Sequence, residues 1–221
     1  MNAIEDALSL RNRPKPPSGE VGNAISHGVG LVAVIVATPI LLLAAFRHND
    51  SRFFAGTTIF TATMLFVYVA STLYHGWSPG RTKSLLQVID HAAIFLLIAG
   101  TYTPFALGPL HGGAGLATLA IVWALAVFGV IMKATRGVAR HRRVAMTLYL
   151  GTGWIGLTLI RPLALAIPFS ALLWLIAGGV AYTTGTLFFA NERLRYGHFI
   201  WHLFVLAGST CHFAAVFICA I

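Results

Sequence analysis

The chain has 221 residues, 57% of them hydrophobic and 10% charged, with a formal net charge of +9 and a mean hydropathy of +0.81. That balance excludes an ordinary soluble globular domain and identifies a membrane protein. The basic excess fits loops held against anionic headgroups, and little else in the chain supports a nucleic-acid partner.

A helix needs about 20 mainly apolar residues to cross a hydrocarbon core about 30 Å thick. Residues 1–23 do not qualify: they are polar and proline-rich, lack the continuous apolar stretch of a signal peptide, and are expected to form a mobile cytoplasmic tail. Residues 24–221 are expected to form one seven-helix transmembrane domain. Its spans run from Ala24 to Phe46, Phe54 to Gly76, Leu85 to Phe105, Ala114 to Met132, Val144 to Ile160, Pro168 to Ala190 and His198 to Ile221. Runs of this length exclude a barrel, whose strands are about 10 residues long and alternate in polarity. The fold class is therefore all-α.

Lysine and arginine accumulate in cytoplasmic loops. With the N-terminus inside, the tail (Arg11, Arg13, Lys15), the second loop (Arg81, Lys83), the fourth (Lys133, Arg136, Arg140, Arg142, Arg143) and the sixth (Arg193, Arg195) are cytoplasmic. Those loops hold twelve of the fifteen basic residues, leaving Arg47, Arg52 and Arg161 to face outward with the C-terminus. Cys211 and Cys219 lie eight residues apart in the last span, about 12 Å along a helix, too far for a disulfide and best read as small packing residues.

Polar residues at membrane depth carry the functional signal. Glu5, Asp6, Glu20, Asp50 and Glu192 fall in the tail or loops, so Asp90 is the one carboxylate inside an expected span. An intramembrane acid is expensive and marks a functional position. Asp90 lies early in the third span, near the cytoplasmic face. The second span ends in ASTLYHGW, which puts His75 at the same level and Ser71 one turn deeper on the same face. The seventh begins with His198 and His202, whose spacing lets one helix present two imidazoles to one ion. A lone HxxxH is common at helix ends, where histidines anchor to headgroups. The matching depth of His75 and Asp90 is what favours a shared metal, with His75 as third ligand.

The other histidines divide by position. His48, His111 and His141 fall in loops. His91 follows Asp90 and is expected to point off its face. His212 is about 15 Å beyond His202 along the axis and is read as hydrogen-bonded within the bundle. Asn23 and His27, preceded by Glu20 in EVGNAISH, either cap the first helix or brace the metal site, with the structural role favoured.

EVGNAISH, Ser71 to His75 as SxxxH, the aspartate of VIDHAAIF and His198 to His202 as HxxxH occur in the order found in the progestin and adipoQ receptor family. From about Glu20 onward the chain resembles that family, and its compact form resembles the hemolysin III branch. The resemblance implies seven helices, a cytoplasmic N-terminus, a bacterial inner (plasma) membrane location, and Zn2+ held near the inner leaflet by His75, His198 and His202. It also implies Asp90 beside the metal and Ser71 as the motif serine. The long cytoplasmic extension of the animal receptors is missing, which argues against receptor activity.

Three histidines leave a fourth position open, the pattern of a catalytic zinc that activates water. Asp90 is then the expected general base and Ser71 the donor to a developing oxyanion. Membrane lipids are the expected partners, and the expected activity is zinc-dependent intramembrane hydrolysis of a lipid amide or ester, similar to the ceramidase-like activity attributed to adipoQ-type members. The alternative is a non-enzymatic regulator or sensor of membrane lipid state with structural zinc. A cytolytic pore fits less well, because no span carries a full polar stripe.

Overall fold

The computed structural model describes residues 17–136, 142–191 and 193–221. The tail residues Glu5, Asp6, Arg11, Arg13 and Lys15, and the loop residues Arg140, His141 and Glu192, lie outside them. The described residues form helices α1 (Pro17–Arg47), α2 (Ser51–Gly76), α3 (Arg81–Leu107), α4 (Gly113–Arg136), α5 (Arg142–Trp154), α6 (Ile160–Ala166), α7 (Phe169–Ala190) and α8 (Gly197–Ala220), with a 3-10 turn, Ile155–Leu159, between α5 and α6. There is no strand among them. Seven helical segments are long and apolar enough to cross a membrane, the fifth being α5, the 3-10 turn and α6 taken together.

Two boundaries differ from the sequence reading. The first helix begins at Pro17 instead of Ala24, so residues 17–23, assigned above to the tail, are helical. Proline is well tolerated in a first helical turn, where its missing N–H has no intrahelical partner to lose. The fifth span continues past Ile160 to Ala166 and carries Arg161 within its last helix.

The break in that span has an identifiable partner. Where an α-helix tightens into a 3-10 turn, backbone groups lose their regular bonds, and in hydrocarbon they must be paired within the protein. Tyr102 of α3 does this. Its hydroxyl accepts from Gly156 N at 2.8 Å and directs its proton at the carbonyls of Gly153 and Thr152, 2.6 and 2.9 Å away. Tyr102→Phe should destabilise the protein by about 1–3 kcal/mol, the penalty for orphaned buried groups. A thermal unfolding series in detergent should show the lowered midpoint.

Consecutive helices α1 to α4 pack side by side, α7 packs on α8, and α8 closes against α1. Close approach between helices depends on small residues, because lipid supplies no hydrophobic drive for association. At Gly30 of α1, a Cβ would lie 2.5 Å from the Tyr68 ring of α2 and 2.6 Å from Leu206 of α8. Any side chain there would push α1 away from both. At Gly56 a Cβ would lie 2.6 Å from the Pro104 backbone of α3. This wedge of α1 between α2 and α8 brings three helix ends together on the side that the charge bias assigns to the cytoplasm. Cys211 and Cys219 are free thiols in α8.

Candidate metal centre

His75 comes from the last turn of α2, while His198 and His202 come from the first turns of α8. α2 and α8 pack on α1 and run in opposite senses, so the end of one and the start of the other reach the same level and the three rings meet there. A ring nitrogen from each lies within 4.8 Å of the others. His75 Nε2 and His198 Nε2 are 3.1 Å apart. The edge of a tetrahedral site with metal–nitrogen bonds near 2.1 Å is about 3.4 Å, so the donor set fits a single ion.

Hydrogen bonds on the far side of two rings decide which nitrogen faces that point. His75 Nδ1 is 3.2 Å from Glu20 Oε2, and a carboxylate oxygen only accepts, so Nδ1 carries the proton and neutral His75 presents a lone pair at Nε2. His202 Nδ1 is 3.2 Å from the backbone oxygen of Asn23 and 3.0 Å from Ser26 Oγ, while Ser26 itself donates to Asn23 O at 2.9 Å. His202 therefore also has Nδ1–H and a lone pair at Nε2. The lone pair on His75 Nε2, 3.1 Å from His198 Nε2, is matched either by an Nε2–H of neutral His198 or by a cation held between the two nitrogens. The three-histidine set can hold a metal ion.

The histidines differ in exposure. The His75 side chain is fully sealed and His202 is 1% exposed, but His198 and His202 both line a cavity bounded by α1, α2, α3, α5, α7 and α8. Asp90 and Ser71 line the same cavity. Asp90 is 7% exposed, with its Oδ2 3.6 Å from His91 Nδ1. Ser71 Oγ is buried and has no hydrogen-bond partner among the described residues. Beyond this polar end the lining turns apolar, with Ile94, Leu97, Ile98 and Val205. His198, His202, Asp90 and Ser71 thus line one cavity, and His75 joins His198 and His202 in the cluster of three ring nitrogens.

Four side chains depart from the sequence reading. His91 does not turn away: it lines the cavity beside Asp90, its Nδ1–H donating to Gln87 O at 2.8 Å while Tyr149 donates to its backbone oxygen at 2.7 Å. Adjacent helical residues diverge by about 100°, and a cavity between several helices is wide enough to receive both. Asn23 and His27 do not cap a helix, since α1 begins before them. His27 is buried and stacked on His202, ring centroids 3.6 Å apart. Glu20, read as a loop acid, sits in the first turn of α1 against His75 and also accepts from Lys83 Nζ at 3.0 Å. The signal for this group was its spacing, since Glu20, Asn23 and His27 step by three and four and share a helix face. His212 donates from Nε2 to Leu175 O at 3.3 Å, as expected within the bundle, and lines the cavity as well.

Residues 17–213 match the family model described as haemolysin-III related. The chain is 40% identical over 202 residues to a hemolysin-3 homolog of Bacillus subtilis, covering 91% of this chain and 92% of that protein. It is also 40% identical over 197 residues to hemolysin-3 of Bacillus cereus, covering 89% and 90%. A more distant likeness, 24% over 216 residues, links it to the human monocyte to macrophage differentiation factor, covering 92% and 86%, in line with the wider progestin and adipoQ receptor resemblance. Seven apolar helices and these bacterial relatives describe a multi-pass protein of the bacterial plasma membrane. The chain belongs to the haemolysin-III-related family.

Proposed function

We propose that the centre holds zinc and that the protein is a zinc-dependent intramembrane hydrolase of lipid amide or ester bonds. The observation that carries this reading is the convergence of three histidine nitrogens at the polar end of a cavity that Asp90 and Ser71 share and whose remainder is largely apolar. Three imidazoles suit zinc and leave a coordination position open. Bound there by His75, His198 and His202, zinc supplies Lewis acidity to a carbonyl and lowers the pKa of water.

The chain's own groups divide the remaining work. The Asp90 carboxylate takes a proton from the water that attacks the carbonyl carbon. It returns that proton to the leaving amine nitrogen or alcohol oxygen as the acyl bond breaks, so no other acid is required. The Ser71 hydroxyl donates to the carbonyl oxygen as negative charge develops on it. The apolar lining receives hydrocarbon and keeps bulk water from the reacting carbonyl. A lipid is the fitting substrate because its acyl linkage lies just below the headgroup, at the depth of the histidines.

The test uses the full chain, purified and reconstituted in nanodiscs, with metal content measured alongside turnover of a panel of lipid amides and esters. About one zinc per chain is expected, with hydrolysis that stops on chelation and returns on adding zinc back. Stoichiometric zinc without metal-dependent turnover across the panel would overturn the hydrolase and favour a lipid-state sensor with structural zinc. Absence of bound metal would overturn both.

A further inference from the structure

We infer that α1, which supplies no ligand, is the orienting element of the centre, and that Glu20 and Lys83 are positioning residues that set how strongly His75 donates to a metal. This inference rests on the metal reading above. It follows from what lies behind the ligand rings.

Two of the three histidines are held from α1. Glu20 Oε2 accepts from His75 Nδ1, and the Asn23 carbonyl, three residues later, accepts from His202 Nδ1. The spacing turns both groups to one face of α1, and the Gly30 contact wedges that face between α2 and α8. The ligands from α2 and α8 are thereby aimed at a common point by a third helix. An Nδ1 proton bonded to an acceptor fixes the tautomer and raises the basicity of the opposite nitrogen, and a carboxylate does so more strongly than a carbonyl. His75 therefore has the stronger push of the two.

Lys83 moderates that push. Its ammonium is 3.0 Å from the same Glu20 oxygen that faces His75 and 3.0 Å from the Trp77 carbonyl, so one carboxylate oxygen divides its negative charge between an imidazole N–H and a cation. The Lys83 and Glu20 side chains are 19% and 17% exposed. The pair sits at the water-facing rim, while the His75 side chain is sealed. Glu20 therefore connects a buried ligand to the rim, and Lys83, from the first turn of α3, ties that connection to the helix bearing Asp90.

The inference predicts opposite signs for two neighbouring substitutions. Glu20→Met removes the acceptor and should weaken metal affinity about 10- to 100-fold, the usual effect of losing a group that orients a ligand. Lys83→Met removes this cation from the Glu20 oxygen that faces His75 and should strengthen affinity a few-fold, the scale of a part-exposed ion pair. Glu20→Gln keeps an accepting oxygen without the charge and should fall between Glu20→Met and the native chain. A merely structural tie among α1, α2 and α3 predicts that both methionine variants loosen the site and weaken binding together.

The measurement is the dissociation constant for zinc, by competition with a chromophoric chelator, on the full chain in nanodiscs. The visible spectrum of the cobalt-loaded protein serves as a second readout that does not depend on turnover. Weaker binding in Glu20→Met, tighter binding in Lys83→Met and an altered cobalt spectrum in the former support the inference. Equal affinities in all variants, or weakening in both methionine variants, overturn it. If the native chain itself binds no zinc, or binds it with an affinity that His75→Ala does not change, the underlying metal reading fails instead.

Discussion

His202→Ala should empty the centre of zinc. The substitution removes one of three protein donors, and two seldom hold zinc in a stable site. An affinity loss of at least about a hundredfold is expected, larger than the loss from any orienting residue. His202 is also tied to α1: it is stacked on His27 and bonded to Asn23 and Ser26. Its loss therefore disturbs the packing of α1 on α8 as well as the donor set. His75→Ala, which spares those contacts, separates the two effects and should lose zinc with less change in thermal stability. Metal analysis and unfolding midpoints on both variants check this. Full zinc retention in His75→Ala, combined with zinc loss in Asp90→Asn, would show that the ligand assignment is wrong.

Asp90→Asn should leave the fold and the bound zinc in place while slowing turnover of a lipid amide or ester by at least about a hundredfold, the scale for loss of a general base. Asparagine is nearly isosteric, and its carbonyl can still accept hydrogen bonds, so packing beside His91 is preserved. It cannot take a proton from water. Single-turnover rates on zinc-loaded protein separate this chemical defect from a defect in substrate entry. A variant that loses turnover and zinc together would place Asp90 among the metal donors, and unchanged turnover would remove it from the mechanism.

The clustered histidines were legible because each carries its evidence within one helix. HxxxH at His198 and His202 needs only helical periodicity, and His75 with Ser71 is a second pair at the same spacing. Depth in the membrane could be counted along each span, which put Asp90 at the same level. The bracing of those histidines was not legible in the same way. Glu20 reaches His75 and Lys83 across 55 and 63 residues of sequence, and nothing local to any of the three announces the contact. His91 was misjudged because helical geometry gives the angle between neighbouring side chains without giving the width of the space they enter. The fifth span shows the same limit: apolarity marks it as a crossing segment but does not reveal the 3-10 turn, whose orphaned backbone groups are matched by Tyr102 from another helix.

By itself the sequence determined the solvent, the number of crossings and the depth of each polar group. All three follow from hydrophobicity and from a fixed rise of about 1.5 Å per helical residue. Only the tertiary structure decided which helices are neighbours, and with that, which nitrogen of His75 and of His202 faces the common point. That choice belongs to the acceptor behind the ring, supplied by α1 to imidazoles on α2 and α8. A helix repeats its own periodicity along the chain, but the partner across an interface is set by where small residues such as Gly30 let two backbones approach.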